Sequence, residues 1–394
     1  MTFALKNLLK TAKNRLPEWL LNFGGKFSHH FSIGLDMGPD RLNLIQMHLV
    51  AGKPCVRAAV SIPYGCPLQL IKSDPSRLKA LIRQAYQVQP FKGKRVVSCL
   101  SADQIKILTV SYKLAEGQQD AAAIIQELRE RLKGDTADMI VDYKLIRPEG
   151  NNSEKREAIV AVAQRETVLT YLNLLADAGL EVEALDIGPA ALTRLVMHLE
   201  NDGTTNFKNV LLINIGVASS YLTVVWGRRL MLDRAVNFSE NCLLARLETV
   251  LDMSPDLAEQ LLFENRVIPG KEAHEVQQML DEVLRPKIKT LVEEINKTLI
   301  YIASITRGHT VDKIYLVGRA ARYQRIAEFL GEQLQVPVVI LNPLAAFAFD
   351  NENQNDQNWG TRPGMALTAG LSLRTATDIA VTTGLALWKG NGRE

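Results

Sequence analysis

The amino-acid sequence predicts an α/β protein made of two related lobes, and three observations lead to this fold class. Strand-like and amphipathic helical segments alternate along most of the 394 residues. A unit of apolar strand, glycine turn and returning strand occurs at 31–63 and again at 209–236. Apolar residues make up 47% of the chain, which is enough to build a core in each lobe. A cleft between two such lobes would be the natural place for a ligand.

The composition excludes several functional classes. The formal net charge of +3 is too small to indicate nucleic-acid binding by itself. The four cysteines form no CxxC pair and the six histidines form no metal motif, so we expect reduced thiols in a cytoplasmic protein and no metal site. No stretch approaches the roughly 18 apolar residues that a membrane span needs. The N-terminus also lacks the separate apolar block of a signal peptide.

Residues 1–30 form a basic amphipathic segment with five Lys/Arg and one acid. Apolar residues recur there on one helical face, at Leu5, Leu8, Leu9, Ala12 and Leu16. Pro17 then breaks the helix, and Trp19 follows it. Two interpretations stay open: contact of residues 3–23 with an anionic membrane surface, or packing of this helix on the domain or on a partner protein.

The first half of the chain begins with strands joined by tight turns. A helix then covers 73–88, with Ser73 or Asp74 as its cap and Pro75 in its first turn. The segments that follow have strand or helix patterns: strands at 94–101 and 104–114, a helix at 120–133, antiparallel strands at 142–150 and 157–164 split by a polar turn at 150–154, a helix at 165–181 closed by Gly179, a strand at 182–188 and a helix at 189–201.

The second half repeats the hairpin unit, and helices then dominate from 240 to 307. The remaining segments follow in order: a buried strand at 313–318, a helix at 321–334, a strand at 336–341, a polar Asn-rich loop at 351–364, and helices at 365–373 and 377–388. Two copies of one strand–turn–strand unit therefore organise the whole sequence.

Three short motifs carry a resemblance to a known superfamily. Asp36-Met37-Gly38, Asn214-Ile215-Gly216 and Leu316-Val317-Gly318 stand where the actin-like ATPase superfamily has its two phosphate loops and its adenosine loop. Longer segments resemble the PilM family of type IV pilus assembly proteins and its relatives in MSHA-type pilus biogenesis: MIVDYKLIRPEG, AVAQRETVLTYLNLLADAGLEVEALDIGPAALTR, RPKIKTLVEEINKTLIYIAS and VPVVILNPL. The similarity covers about residues 31–388.

The resemblance implies an actin-like (ribonuclease-H-like) two-lobed α/β fold with the inserted subdomain typical of FtsA and PilM. On this basis we expect five parts: a basic N-terminal segment (1–30), a first lobe core (31–103, with 181–207 and 374–394), an inserted subdomain (104–180), a second lobe core (208–235, with 312–373) and a helical subdomain of the second lobe (236–311).

The resemblance also implies a function. A protein similar to PilM would be a cytoplasmic scaffold, peripheral to the inner membrane, in a type IV or MSHA-like pilus machine. It would dock the N-terminal cytoplasmic tail of a PilN-like inner-membrane protein in a groove involving the inserted subdomain, and it would connect to the assembly motor ATPases. Two alternatives stay open: an ATP-binding or ATP-hydrolysing protein whose nucleotide state controls docking, and an FtsA-like membrane-tethered filament protein.

The implied nucleotide site departs from the superfamily pattern at the first loop. An intact site needs an acid that arranges Mg²⁺ and small residues whose backbone N–H groups approach phosphate. Asp36 and Gly38 match this pattern. Pro39 has no N–H to donate, Asp40 would repel a phosphate, and Asn43 stands where a lysine is usual.

The second loop has lost its acid. Asn214 replaces it, although Gly216, Ser219 and Ser220 remain able to serve a phosphate. A neutral amide cannot supply the negative charge that a hard cation prefers. The second loop therefore adds to the evidence for a degenerate site.

The adenosine loop keeps Gly318, but the next residue is Arg319, which would be bulky against a nucleobase. The segment 236–239 also lacks the glycine pair that is frequent there. Together these departures predict a degenerate site, with no catalytic residue and with either no cofactor or ATP and Mg²⁺ bound without turnover. Asp36 would then brace the turn that it begins.

Three more polar residues allow two interpretations each. Gln164 ends a strand near the place where superfamily enzymes have a water-activating residue, or it is simply a polar strand end. Glu294 and Lys297 lie on a helix that resembles one lining the adenosine pocket, or they pair with each other along that helix.

Overall fold

The computed structural model describes residues 31–132, 138–146, 155–200, 207–264, 272–349, 363–374 and 386–389. The predicted N-terminal segment (1–30), the polar turn at 150–154 and most of the Asn-rich loop (351–362) lie outside these ranges. The chain divides into two compact units, unit 1 (1–191 and 371–394) and unit 2 (192–370). The lobe boundaries expected at 207/208 and 373/374 lie further along the chain, and the five-part division stays a prediction.

The bounds of the described elements follow in chain order. The strands are β1 (Ile33–Met37), β2 (Arg41–Val50), β3 (Lys53–Pro63), β4 (Arg95–Cys99), β5 (Ile105–Lys113), β6 (Met139–Ile146), β7 (Lys155–Gln164), β8 (Glu181–Asp186), β9 (Val210–Ile215), β10 (Ser220–Trp226), β11 (Arg229–Val236), β12 (Lys313–Val317), β13 (Val338–Ile340), β14 (Ala348–Phe349) and β15 (Ala386–Lys389). The helices are α1 (Leu68–Ser73), α2 (Pro75–Val88), α3 (Asp120–Leu132), α4 (Arg165–Asp177), α5 (Gly188–Leu199), α6 (Glu240–Leu251), α7 (Pro255–Glu264), α8 (Ala273–Ile305), α9 (Gln324–Leu334) and α10 (Ala366–Ser372).

The main sheet of unit 1 has the strand order β3-β2-β1-β4-β8-β15. The first three strands form an antiparallel meander, and β1, β4 and β8 run parallel. Helix α2 packs beside this sheet and begins as predicted, with Pro75 at its first position and the Asp74 side chain accepting from Ser76 N at 3.0 Å. Helix α4 ends before Gly179, whose φ of +90° suits a residue without Cβ.

The C-terminal segment corrects one prediction. The sequence pattern predicted a helix at 377–388, but Ala386–Lys389 is the strand β15, paired antiparallel with β8. Residues 375–385 lie outside the described residues. Strand pairing satisfies backbone groups of β8 that would otherwise lack partners, and this tertiary gain outweighs a weak local helical preference. The six-residue helix α1 was also not predicted, because so short a segment has little periodicity.

A separate three-stranded sheet lies within the predicted insert and has the order β5-β7-β6. All its pairings are antiparallel. Apolar side chains of β5 and β7 pack against α3 around Val110, Tyr112 and Leu128. Helix α3 therefore covers one face, and β5 lies at an edge of this sheet.

Unit 2 repeats the strand order of unit 1. Its sheet runs β11-β10-β9-β12-β13, which matches β3-β2-β1-β4-β8 position by position. The antiparallel meander and the parallel strands are also equivalent. Helices α6 to α9 bury the apolar face of this sheet. The repeat predicted from 31–63 and 209–236 is therefore confirmed as a repeat of topology.

Candidate functional site: the phosphate-loop turns and an insert groove

In the first loop, Asp36 is held by the returning strand. Asp36 of β1 lies opposite Asn43 of β2, and Asn43 lies opposite Ser61 of β3. The Asn43 amide donates to Asp36 Oδ2 at 3.2 Å, and Ser61 Oγ donates to Asn43 Oδ1 at 2.7 Å. Three side chains thus form one chain of hydrogen bonds across three strands. This geometry favours the interpretation that Asp36 braces its turn.

The charges of this loop are unfavourable for a bound phosphate. Burial raises the pKa of the Asp36 carboxyl to about 6, the hydrogen bond from Asn43 lowers it, and the nearby Asp40 carboxylate raises it further. Arg41 pairs with Asp40 at 3.3 Å. Asn43 stands where the resemblance expects a lysine, so a neutral donor faces Asp36 in place of a cation.

Gly38 is enclosed by its own turn. A Cβ at Gly38 would lie 3.2 Å from the Arg41 carbonyl oxygen. Tyr64 donates from its hydroxyl to the Gly38 carbonyl at 3.1 Å, and its backbone N–H donates to the Asp40 carbonyl at 3.0 Å. The glycine therefore occupies a tight position within a hydrogen-bonded turn.

In the second loop, the turn carbonyls cap helix α6. The N–H of Glu240 donates to the Gly216 carbonyl at 2.9 Å, and the N–H of Asn241 donates to the Val217 carbonyl at 3.0 Å. Ser239 accepts from the next helical N–H with its side chain. A helix N-terminus binds phosphate through such free N–H groups. Here the protein itself occupies them.

Asn214 and Gly318 lie next to each other at the ends of β9 and β12. Gly318 has φ +93°, and a Cβ there would overlap the Ile215 carbonyl oxygen and lie 3.2 Å from Asn214 Oδ1. A Cβ at Gly216 would overlap the Ser219 carbonyl. The structure therefore brings the second phosphate loop and the adenosine loop together within unit 2.

Arg319 is tied to two helices. Its Nε donates to Glu240 Oε1 at 3.0 Å, and a second guanidinium nitrogen contacts both Glu240 and Glu259, the latter at 3.3 Å. The guanidinium carbon also lies 4.4 Å from the centre of the Phe263 ring. Because Glu240 is only 1% exposed, Arg319 neutralises a buried carboxylate. We call these four residues the Arg319 cluster.

The orphan hydroxyl of Ser220 is the one feature of these loops that favours a ligand. Its side chain is fully buried and its Oγ has no hydrogen-bond partner among the described residues. Against this stand the neutral Asn214, the occupied N-terminus of α6 and the Arg319 cluster. On balance the residues present do not favour Mg-ATP.

The remaining polar candidates have ordinary surroundings. Gln164 is exposed at the end of β7, and its side chain makes no capping hydrogen bond to α4. Lys297 donates to Glu294 at 2.6 Å, and Arg234 donates to the same carboxylate at 2.5 Å. The hydrogen bond from Lys297, then the charges of Lys297 and Arg234, lower the pKa of Glu294. Pairing along the helix is thus the interpretation that the contacts support.

A groove in the insert was not predicted residue by residue. It lies between the end of β5 and helix α3, with a volume of about 360 Å³. The lining residues are Ser111, Tyr112, Lys113, Ala123, Gln126 and Glu127. Arg131 donates to the Thr109 carbonyl at 3.1 Å, which covers the preceding part of the β5 edge. The alternation of β5 was visible in the sequence, but its position at a sheet edge was not.

Neither a metal-binding cluster nor a membrane-spanning helix is found among the described residues. Within the described residues, no group of three or more His, Cys, Asp or Glu side chains is arranged to hold a metal ion. In the same part of the chain, none of the helices has the length and apolar character that crossing a membrane requires.

Comparison with known proteins places these loops in a family. A family model described as type IV pilus assembly protein PilM matches residues 34–376. A solved PilM–PilN type IV pilus biogenesis complex is similar to this chain with a TM-score of 0.68 and 20% identity, covering 89% of this chain and 99% of that one. Ethanolamine utilization protein EutJ from Carboxydothermus hydrogenoformans has a TM-score of 0.50 and 12% identity, covering 94% and 99%. A glycerol dehydratase reactivase also has a TM-score of 0.50, with 9% identity, covering 88% and 100%.

The family match spans both strand–turn–strand units and the insert between them. The fold is the actin-like α/β fold with two sheets of equivalent strand order. From the matched residues and this topology, the chain belongs to the PilM family of type IV pilus assembly proteins.

Proposed function

We propose that this protein is a scaffold of a type IV or MSHA-like pilus machine that docks the N-terminal tail of a PilN-like inner-membrane protein. The observation that carries the proposal is the groove beside the β5 edge in the insert. Family membership supports the process, and the solved relative that contains PilN supports the kind of partner.

An extended peptide tail fits an exposed strand edge. Such a tail adds a strand through main-chain hydrogen bonds, and neighbouring pockets select its side chains. Among the described residues β5 pairs with β7 on one side only. Next to its last residues the groove offers the apolar Ala123 with Lys113 and Glu127 of opposite charge at its rim. A short tail with both apolar and charged residues would find partners for both.

Binding of a peptide copying the tail of the PilN-like partner tests this assignment. We expect Glu127→Lys or Lys113→Glu to weaken binding by roughly tenfold, because each inverts one charge at the rim. Glu130→Lys on α3 and Lys106→Glu on β5 are matched controls that change the same charges at exposed positions outside the lining. Equal weakening by the rim variants and the controls would place the tail elsewhere.

We further propose that the scaffold works without bound ATP, and therefore without ATP turnover. The Arg319 cluster and the capped N-terminus of α6 support this, because both use groups that a nucleotide would need. Calorimetric titration of the folded full chain with Mg-ATP should therefore give no heat of binding. Micromolar binding would instead make nucleotide control of docking the leading mechanism, with Ser220 as a phosphate contact.

The same proposal covers location and the remaining partners. The protein would lie on the cytoplasmic side of the inner membrane, held there by the PilN-like tail and by contact of residues 3–23 with the bilayer. The assembly motor ATPases would be its further partners. Co-purification of the motors with the full chain, present with the PilN-like protein and lost without it, is the expected result. Co-purification of the motors to the same extent with and without the PilN-like protein would contradict this order of assembly.

A further inference from the structure

We propose that one end of the unit 1 sheet, the end at which strand β1 begins, binds an anionic membrane directly. We call this the basal surface and define it by the β2–β3 hairpin tip (49–53) and the loop before β4 (88–94). It is distinct from the insert groove, and the inference does not depend on docking of a PilN-like tail.

The sheet topology brings the two segments of the basal surface together. Strands β1 and β4 run parallel, so their first residues share one edge, and the β2–β3 hairpin closes at that same edge. The buried Gln46 amide donates to the carbonyls of Phe31 at 2.9 Å and Lys92 at 2.7 Å and accepts from Lys92 N at 2.7 Å. Arg57 adds a hydrogen bond to the Pro90 carbonyl at 3.3 Å. The loop is thus fixed against the hairpin strands.

The hairpin tip is apolar and exposed. Leu49 is 51% exposed and Val50 is 49% exposed. The turn residues Ala51 and Gly52 have φ of +49° and +77°, as a two-residue hairpin turn of the primed type requires. Asn or Asp is preferred at the first of these positions, so an alanine there keeps the tip apolar at some conformational cost.

Three lysines lie in the two segments that define the basal surface, one at the hairpin tip and two in the loop before β4. Lys53, Lys92 and Lys94 are exposed, and their ammonium groups make no ion pair with another described residue. Arg95 lies at the same edge and approaches Glu183 at 3.8 Å.

Among the described carboxylates at this end of the sheet, those of Asp177 and Glu181 lie at the end of α4 and the start of β8, two strands away from the start of β1. The Glu183 carboxylate reaches the start of β1, where it accepts a hydrogen bond from Ser32 and lies 3.8 Å from Arg95. The hairpin side of the basal surface is therefore positive.

The path of the chain favours a membrane over a folded acidic partner. Residues 1–30, with five Lys/Arg and an apolar helical pattern, join the described chain at Phe31, which lies on the basal surface edge. Binding of a basic and apolar segment to a bilayer strengthens with the apolar area that it buries and with the number of its cations, so a second such surface beside the first adds to the binding. Dispersed lysines around an apolar tip suit mobile anionic headgroups, whereas a folded protein would need carboxylates at fixed positions.

Vesicle flotation of the full chain tests the proposal. Vesicles of phosphatidylcholine alone are compared with vesicles that also contain phosphatidylglycerol. The basal variant carries Lys53→Gln, Lys92→Gln and Lys94→Gln, and the tip variant carries Leu49→Ser and Val50→Ser. A matched control carries Lys208→Gln, Lys287→Gln and Lys289→Gln, which remove the same charge from exposed positions of unit 2.

We expect the full chain to float with the anionic vesicles and not with the neutral ones. The basal variant should lose about a hundredfold in partitioning, since each of its three lysines contributes to binding near an anionic surface. The tip variant should lose less, and the control should stay within about twofold of the unchanged protein. Circular dichroism and capture of the PilN-like tail, both unchanged, would show that the variants are folded and that docking is separate.

Four outcomes would overturn the inference. Equal losses in the basal variant and the control would show that only net charge matters, and no loss in either would show that the basal lysines do not contribute. Flotation that depends on residues 1–24 and not on the basal variant would assign membrane contact to the N-terminal segment alone. An absence of flotation with anionic vesicles would leave an acidic protein as the partner of this surface. Failure of PilN-tail capture with intact flotation would instead affect the proposed function and leave this inference standing.

Discussion

The turn after β1 and the turn after β9 hold equivalent positions in two sheets of the same strand order, yet their polar groups differ. The first turn keeps its acid, Asp36, and faces it with the neutral Asn43. The second turn has the neutral Asn214 at the equivalent position and lies beside a cation, Arg319, which pairs with Glu240. In both turns the glycine occupies a crowded position.

The comparison teaches that crowding of the backbone can account for a glycine pattern without any ligand. A Cβ would overlap a backbone carbonyl oxygen at Gly216 and at Gly318, and it would make a tight 3.2 Å contact with one at Gly38. Packing alone is therefore sufficient to explain their presence. The charged groups have no such constraint, and they differ between the two turns.

The largest expected effect is on the free energy of unfolding, and it distinguishes two glycine substitutions. Gly318→Ala should lower the free energy of unfolding of unit 2 by about 3–4 kcal/mol, because the Cβ overlaps the Ile215 carbonyl and φ is +93°. Gly38→Ala should cost only about 1 kcal/mol, since its 3.2 Å contact can relax. Urea unfolding of both variants measures the difference. Equal losses would mean that the two turns are equally constrained.

Removal of the cation from the second turn should have the next largest effect. Arg319→Ala leaves Glu240 buried without its charge partner and should cost about 2–3 kcal/mol, somewhat less than for a fully buried pair because Arg319 is 21% exposed. The double variant Arg319→Ala/Glu240→Gln should recover part of the loss. No recovery in thermal and urea unfolding would show that the Phe263 contact, and not the charge pair, stabilises this turn.

The smallest effect concerns pH and the acid of the first turn. The pKa of Asp36 is raised from 3.8 to about 6, so the folded state binds the proton more tightly than the unfolded chain. Its contribution to stability is therefore full below pH 3.8 and is lost as pH rises toward 6. Asp36→Asn should remove this loss. The stability of the variant relative to the unchanged protein should therefore be higher at pH 7.5 than at pH 4.

The difference between variant and unchanged protein isolates this contribution. Asp233, whose pKa is raised to about 7 by burial, changes stability with the same sign in both proteins. Asp103→Asn, at an exposed position, is the matched control. A variant whose unfolding curve keeps the slope of the unchanged protein between pH 4 and 6 would show that Asp36 is not the group responsible.

Much of the fold could be predicted because it depends on local patterns. The repeat of strand, glycine turn and strand, the cap at Asp74 and the helix stop at Gly179 are all consequences of backbone preferences and of periodic burial. The departures at Pro39, Asn43, Asn214 and Arg319 were likewise readable from residue types alone. The C-terminal strand β15 was not, since its partner β8 lies about 200 positions earlier in the sequence.

The sequence by itself therefore determined the two-lobed α/β class and the family resemblance, and from residue types alone it predicted that the nucleotide loops are degenerate. Only the tertiary structure decided where the charges of those loops go: Asp36 to Asn43, and Arg319 to Glu240, Glu259 and Phe263. It also decided that β5 is an edge strand and that Lys53, Lys92 and Lys94 share one surface with an apolar tip. The physical reason is that periodicity and turn chemistry act between near neighbours, whereas ion pairs, sheet edges and surface patches join residues that only folding brings together.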